Sequence, residues 1–341
     1  MIKDFWLITN YSCNNRCKWC YTQSKNFVNE PMSLDYAKEV MKEMKRIGAV
    51  KCTLVGGEPT VYPHLFDLIE YGNELGLFMK IVTNAVLLSD NVFVQRLKDA
   101  KVSLVAISIH GGSPQTYKTI TQTDKFEDVI SGIKNCIEKE LSIVTLTTVN
   151  KLNQHELFDI GLMLNKLGVE NIVYNIAVPT VANSEEENLA LTPPEIARTI
   201  EANYLKFKEK EIKVGFYATI PVCIFDEDIF NKMLIEKYVI PITKPGGCNI
   251  YDSSGFAIDP WGKIIPCAKR VNNVLINTKD ENGNFMYANK GEEVWGKIKS
   301  NFGIEAWKYP SEKCSSCKKK AVCIGGCPLF WEVYDPNEFI K

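Results

Sequence analysis

No apolar run in this 341-residue chain reaches the roughly eighteen residues that a membrane-spanning helix requires. The opening segment MIKDFWLITNY is broken by Asn10 and Ser12 before it could form the core of a secretory signal. A surplus of one charge is missing too: 40 basic residues face 41 acidic ones, a formal net charge of −1. Such a balance excludes a general attraction to nucleic acid or to an anionic membrane surface. Histidine is scarce, at three residues, and no internal repeat or low-complexity tract stands out. The expectation is a cytoplasmic globular protein with no nucleic-acid and no membrane partner. Its length suits one large α/β domain plus a smaller one, or two medium domains.

Cysteine, by contrast, is abundant. There are twelve: three within residues 13–20, six within 248–327, and Cys52, Cys136 and Cys223 elsewhere. Structural disulfides are rare in a reducing cytosol, so clustered thiols there point to metal or redox chemistry. The segregation suggests two metal-bearing ends joined by a metal-free middle.

Between residues 4 and about 220, β-rich runs alternate with amphipathic helical stretches. The runs are Phe5–Thr9, Cys52–Val55, Met79–Val82, Leu104–Ile109, Ile143–Val149 and Asn171–Val178. They are rich in Val, Ile and Leu and poor in charge, as in strands buried on both faces of a parallel sheet. The helical stretches include Leu34–Ile47, His64–Leu75, Phe126–Leu141 and His155–Leu167. Gly48, Gly76 and Gly168 follow three of them, where a left-handed C-cap is needed. Thr192-Pro193-Pro194-Glu195 has the composition of an N-cap, two first-turn prolines and a capping-box glutamate. Six βα units predict a partial (β/α)6, TIM-like barrel, with its chemistry in the loops after the strands. The Glu-rich segment Ala182–Leu191 reads as a solvated connection or a lid. Beyond about residue 240, Gly, Pro, Asn and Cys become frequent, as in a small irregular domain held by metal instead of a large apolar core. The expected division is 1–235 and 236–341.

Cys13-Asn14-Asn15-Arg16-Cys17-Lys18-Trp19-Cys20 sets three thiols directly after the first strand. A cubane iron–sulfur cluster normally takes four thiolates, so three local ones leave one iron open. A zinc loop is the competing reading of the same spacing. Gly56-Gly57-Glu58-Pro59 follows the second strand, with two glycines permitting close backbone approach and a proline fixing the exit. Alone, that tetrapeptide would pass for a surface turn.

Taken in order, these features resemble the radical S-adenosylmethionine (SAM) superfamily, whose C-x3-C-x-φ-C motif is matched with Trp19 at the aromatic position. The resemblance implies a SAM-cleaving [4Fe–4S] cluster on Cys13, Cys17 and Cys20. It implies SAM contacts from Gly56, Gly57, Glu58 and Pro59, from Asn84 and Ser108 after the third and fourth strands, and from Thr148 and Asn150 after the fifth. It also implies hydrogen abstraction from a substrate by a 5′-deoxyadenosyl radical, with an electron donor such as flavodoxin or ferredoxin.

Cys248 and Cys267 flank a segment whose Ser253-Ser254-Gly255 and Pro260-Trp261-Gly262 turns read as a β-hairpin. Cys314-x2-Cys317-x5-Cys323-x3-Cys327 follows, a run that by itself suits a zinc knuckle. Together they resemble the SPASM extension, which implies one or two auxiliary [4Fe–4S] clusters. By that resemblance Cys248, Cys267 and Cys327 would serve one cluster, and Cys314, Cys317 and Cys323 the other. The family pattern has a seventh cysteine that does not occur before Lys341, so Asp335, Glu332 or Glu338 is expected to supply an oxygen, or one iron to stay open.

Cys52 and Cys136 read as small core hydrophobes. Cys223, in Ile220-Pro221-Val222-Cys223 near an active-site loop, reads as a buried thiol, as a ligand completing an auxiliary cluster, or as a catalytic hydrogen-atom donor. His64 and His155 fall near helix starts, and His110 faces the expected site in a hydrogen-bonding role. The leading expectation is modification of a ribosomally made peptide, by crosslink, thioether or epimerisation. With the motif beginning at Cys13, the leader would dock on the barrel or on a separate leader-binding protein. The alternative is an oxidoreductase or epimerase acting on a small molecule such as a sugar or cyclitol.

Overall fold

A computed structural model describes residues 3–20, 30–179, 189–217, 220–241, 255–302, 310–320 and 323–340. Eight parallel strands form its spine: β1 (Asp4–Ile8), β2 (Lys51–Val55), β3 (Phe78–Thr83), β4 (Leu104–Ser108), β5 (Ile143–Val149), β6 (Ile172–Ile176), β7 (Val214–Tyr217) and β8 (Val239–Pro241). They lie side by side in chain order, and β9 (Gly255–Ile258) adds in parallel to the free edge of β1. β10 (Lys263–Ile265) and β11 (Ile276–Asn277) then extend that edge antiparallel. The sheet is open, ending at β11 and β8, as a partial barrel should. The six expected strands are all present. β7 falls on the strand-like Lys213–Thr219, whose last two residues lie outside the described ones. β8 went unread because three residues ending in Pro241 carry no periodicity, and a proline is tolerated at such an edge.

The helices are α1 (Leu34–Arg46), α2 (Leu65–Glu74), α3 (Asn91–Asp99), α4 (Pro114–Thr121), α5 (Phe126–Glu138), α6 (Leu157–Lys166), α7 (Pro193–Glu209) and α8 (Glu227–Glu236). After β11 come α9 (Gly291–Phe302), α10 (Pro328–Trp331) and α11 (Pro336–Phe339). None in the described residues is long and apolar enough to cross a membrane. Gly48, Gly76 and Gly168 take φ of 100°, 67° and 87° just past α1, α2 and α6, the left-handed closure expected of them. At the start of α7 the Glu195 carboxylate accepts the Thr192 backbone N–H at 2.8 Å.

One face of the sheet carries Phe5, Leu7, Cys52, Leu54, Met79 and Ile81 into the core beneath the helices. The opposite face corrects the expectation of strands buried on both sides. Along β5 and β6 burial alternates, leaving Val144, Leu146, Thr148, Val173 and Asn175 half-buried. An open barrel lacks the strands that would fill its interior, so that concave face keeps room for a ligand.

The C-terminal part corrects a second expectation. Phe256, Ile258, Ile264, Val294, Ile298 and Phe330 belong to the same apolar cluster as the barrel helices, so this part is not held by metal alone. Buried Glu43 on α1 accepts the backbone N–H groups of Asn289 and Gly291, fixing the start of α9. Tyr36 and Thr278 share a hydrogen bond of 2.6 Å between α1 and the segment after β11. The sheet thus continues across residue 235, through β8 and β9.

Candidate active site and cysteine centres

β1 ends directly below the first cysteine loop, and the backbone fastens that loop on two sides. Gly57 N–H donates to the Asn10 carbonyl at 2.8 Å and Glu58 N–H to the Ser12 carbonyl at 2.7 Å. On the far side Arg16 and Lys18 donate their N–H groups to the carbonyls of Thr121 and Ile120 at the end of α4. A Cβ on Gly57 would lie 2.2 Å from the Ser12 oxygen, and one on Gly56 would lie 2.3 Å from the Asn10 oxygen. The glycine pair is therefore required for the cysteine loop to lie against the end of β2, whatever else it contacts.

Cys13, Cys17 and Cys20 are half-buried. Burial raises Cys17 well above the ordinary thiol range, and the neighbouring Cys20 and Cys13 raise it further. Burial likewise pushes Cys13 up to about 11. Cys13 and Cys17 thus resist ionisation as free thiols, and a bound cation relieves this by holding them as thiolates. Asn15 N–H donates to Cys13 Sγ at 3.4 Å, and Asn84 Nδ2 lies 3.7 Å from the same sulfur. Beside it the Asn14 Nδ2 is buried without a partner, a donor free for a ligand at the loop.

Glu58 is 1% exposed and looks inward. Its carboxylate accepts from Thr60 N–H (3.0 Å), Thr60 Oγ1 (2.7 Å), Thr83 Oγ1 (2.6 Å) and Asn84 N–H (2.6 Å). Burial pushes its pKa up and these four donors pull against that rise. Glu58 thus ties the end of β2 to the end of β3 and sets Asn84, whose amide also meets Asn14 at 2.5 Å. Pro59 opens a 3-10 turn, Pro59–Val61, for which Glu58 is the N-cap.

Ser108 is half-buried at the end of β4. Two residues on, His110 is buried, and burial holds its pKa down at about 3. Its Nδ1 accepts the Thr148 N–H at 3.3 Å, so the neutral ring carries its hydrogen on Nε2. The His110 ring meets Trp19 edge to face, 4.4 Å between centroids, which brings the cysteine loop to the ends of β4 and β5. Thr148 is half-buried. The Asn150 side chain is occupied in its own turn, donating to the Thr148 carbonyl and accepting from Leu152 N–H. Asn153, missed in the sequence, is fully buried and donates to the carbonyls of His110 and Thr148. The Asn150-x-x-Asn153 spacing was the available signal, a side chain closing a turn onto a nearby backbone. His64 and His155 stay on the surface, paired with Asp67 and Glu156.

The C-terminal cysteines divide in two. Cys267 follows β10, and Cys327 caps the N-terminus of α10. Their segments are joined by an ion pair between Arg270 and Glu332, while Cys248 lies outside the described residues. The expected hairpin is β9–β10, closed by Asp259, which accepts from the N–H groups of Trp261 and Lys263. Trp261 stacks on Tyr11 at 5.3 Å, two residues before Cys13, so the hairpin tip reaches the first loop. Ser253 and Ser254, like most of Ala182–Leu191, lie outside the described residues. Cys314, Cys317 and Cys323 line a second place, and Cys223 lines it with them. Cys52 and Cys136 are fully buried in the core.

Residues 7–164 match the family model described as the Radical SAM superfamily, and that segment is a radical SAM domain. The chain is 28% identical over 280 residues to a probable GTP 3′,8-cyclase of Saccharolobus islandicus, covering 80% of this chain and 85% of that protein. It is 26% identical over 325 residues to an AdoMet-dependent heme synthase of Methanosarcina barkeri, covering 92% and 87%. Among solved structures it resembles SuiB of Streptococcus suis bound to S-adenosylmethionine, with a TM-score of 0.72 at 18% identity over 100% of this chain and 76% of that one. SuiB bound to its precursor peptide SuiA gives 0.74 at 16% identity, covering 100% and 75%.

The superfamily implies a [4Fe–4S] cluster and SAM. The residues present fit both. Three thiols crowd one loop, the buried Asn14 Nδ2 lies beside them without a partner, and half-buried polar groups line the strand ends. Among the described residues no three His, Cys, Asp or Glu side chains close around a single ion. A tetrahedral zinc site needs sulfurs about 3.8 Å apart, whereas a cubane spreads its thiolates over separate irons.

Proposed function

We propose that the protein is a radical SAM enzyme that abstracts hydrogen from a peptide, with residues 236–341 acting as a SPASM-like domain that carries auxiliary clusters. When bound, the [4Fe–4S] cluster and SAM supply one electron and a 5′-deoxyadenosyl radical. Cys13, Cys17 and Cys20 would hold the cluster, leaving one iron for SAM. The Gly56–Gly57 backbone holds the loop in place, and Glu58 fixes Asn84 at the edge of the site. Ser108, Thr148 and the Nε2–H of His110 offer polar contacts at the ends of β4 and β5. Asn150 serves by shaping the turn after β5. Trp19 and His110 pack together and exclude water from one wall of the site.

The observation that carries this reading is the three-thiol loop clamped between the end of β2 and the end of α4, beside an open and half-polar barrel face. The peptide substrate rests on the likeness to SuiB, whose structure holds a precursor peptide. A small-molecule substrate is the second reading, favoured by relatives named for GTP cyclisation and haem synthesis. The test is anaerobic incubation with SAM, reductant and a short peptide encoded beside the gene, followed by mass spectrometry. Formation of 5′-deoxyadenosine with a peptide mass change of one or two hydrogens, or deuterium uptake from D2O, is the expected result. 5′-Deoxyadenosine formed at the same rate with and without peptide, and an unaltered peptide, would turn the assignment to a small molecule.

A further inference from the structure

The sequence left the Cys314, Cys317 and Cys323 group one ligand short. The carboxylates expected to make up the difference are engaged elsewhere. Glu332 pairs with Arg270, the Asp335 side chain caps α11 through Asn337 N–H at 2.9 Å, and Glu338 points to solvent. None of the three lines the pocket formed by Cys314, Cys317 and Cys323. Cys223 does. It sits in the 3-10 turn Val222–Ile224 that leads from β7 into α8, far from the other three in sequence.

The approach of these segments does not depend on the thiols alone. Glu227, in the first turn of α8, forms an ion pair of 2.9 Å with Lys319, two residues after Cys317. Lys313 Nζ donates to the Ile340 carbonyl at 2.8 Å and holds the segment before Cys314. Lys313, Lys319 and Lys320 all border the pocket, so positive charge surrounds the thiols and suits an anionic cluster. Two of the sulfurs already accept backbone hydrogen bonds from two residues ahead: Cys317 from Lys319 N–H at 3.4 Å and Cys323 from Gly325 N–H at 3.3 Å. Cys13 and Cys267 show the same pattern with Asn15 and Lys269. Such N–H···S bonds stabilise a charged sulfur and orient it for metal. The buried core thiols Cys52 and Cys136 carry no such surroundings.

We infer that Cys223 is the fourth thiolate of an auxiliary iron–sulfur cluster whose other ligands are Cys314, Cys317 and Cys323. This rests on the reading that the C-terminal cysteines bind iron, and not on the nature of the substrate. Four protein thiolates make this centre fully ligated, the condition for storing or passing an electron without binding substrate. It also ties the turn that holds Cys223 to the C-terminal segment.

The test uses the full chain carrying Cys13/Cys17/Cys20→Ala, which removes the SAM-cleaving centre, with and without Cys223→Ala. Both are reconstituted anaerobically, iron and sulfide are counted, and Mössbauer and EPR spectra are recorded. The expected result is that Cys223→Ala removes about four irons, or leaves a three-iron centre visible by EPR after oxidation. Cys223→Ser should retain iron with altered spectra, because an oxygen replaces one sulfur, and it decides the matter where the alanine variant does not fold. Cys136→Ala serves as the control and should change neither count nor spectrum. Iron content and spectra unchanged in both Cys223 variants would overturn the assignment, as would a background protein that binds no iron. Iron counts as expected here, with an unaltered peptide from the chain that keeps Cys13, Cys17 and Cys20, would instead tell against the substrate reading.

Discussion

Cys13, Cys17 and Cys20 lie within one eight-residue loop, whereas Cys223 lines one pocket with Cys314, Cys317 and Cys323 from a distant part of the chain. The first set is positioned by the protein itself. Backbone hydrogen bonds from Gly57, Glu58, Arg16 and Lys18 hold the loop before any metal arrives. Around the second set the described residues include an exposed Glu227–Lys319 ion pair, the Lys313–Ile340 contact and the packing of Leu329 and Phe330. The contrast separates two uses of the same side chain. On the proposed reading, a prefolded three-thiol loop would keep an iron free for chemistry, while a four-thiol pocket assembled from distant segments would bind metal as part of its own folding.

Three perturbations sharpen that contrast. The largest effect belongs to Gly57→Ala. With Ser12 and Tyr11 oxygens 2.2 and 2.6 Å from the new Cβ, the loop must shift. We expect about 1–3 kcal/mol of lost stability in urea unfolding, and loss of SAM cleavage with the C-terminal iron retained. Unimpaired SAM cleavage would mean the loop is not held by this contact. A smaller effect is expected from His110, read in the pH dependence of unfolding. Its folded pKa, about 3, lies below the unfolded value near 6.5, so the unfolded state takes up the proton first as pH falls. Stability is fully present above pH 6.5 and is lost at up to about 1.4 kcal/mol per pH unit below it. His110→Gln should flatten that slope between pH 6.5 and 5, and an unchanged slope would place the proton uptake elsewhere. The smallest effect is Lys319→Ala. Its ion pair is exposed, so the loss should stay under about 1 kcal/mol, with auxiliary iron bound but released faster to a chelator. Release at the parental rate would leave the gathering of the second set to the metal and the apolar packing.

Much of the barrel was legible because buried parallel strands carry near-continuous apolar runs and the helices between them end in glycine. All six runs became strands within one or two residues. β8, the pairing of β9 with β1 and the shared core of the C-terminal part were not legible. Short strands pair through the backbone, and Phe256 or Phe330 reads the same whether it packs on its own small domain or on the barrel. In the site, the glycine pair and the three cysteines were visible as spacing. Glu58 was read as a ligand contact, and the four donors that its buried carboxylate takes within the chain were not legible, since sequence does not reveal which way a side chain turns at the end of a strand. Asn153 was signalled only by its spacing from Asn150, and the shared pocket of Cys223 and the C-terminal thiols depends on long-range packing, for which one chain carries no signal.

The central claim is that the two cysteine sets hold separate iron–sulfur centres. Its most direct test is an anaerobic count of iron, sulfide and zinc on the intact protein and on Cys13/Cys17/Cys20→Ala. The account predicts that the variant loses about four irons with SAM cleavage and keeps roughly four to eight. A variant that retains zinc and no iron would contradict it, leaving the C-terminal cysteines a structural knuckle and the radical SAM domain to work alone.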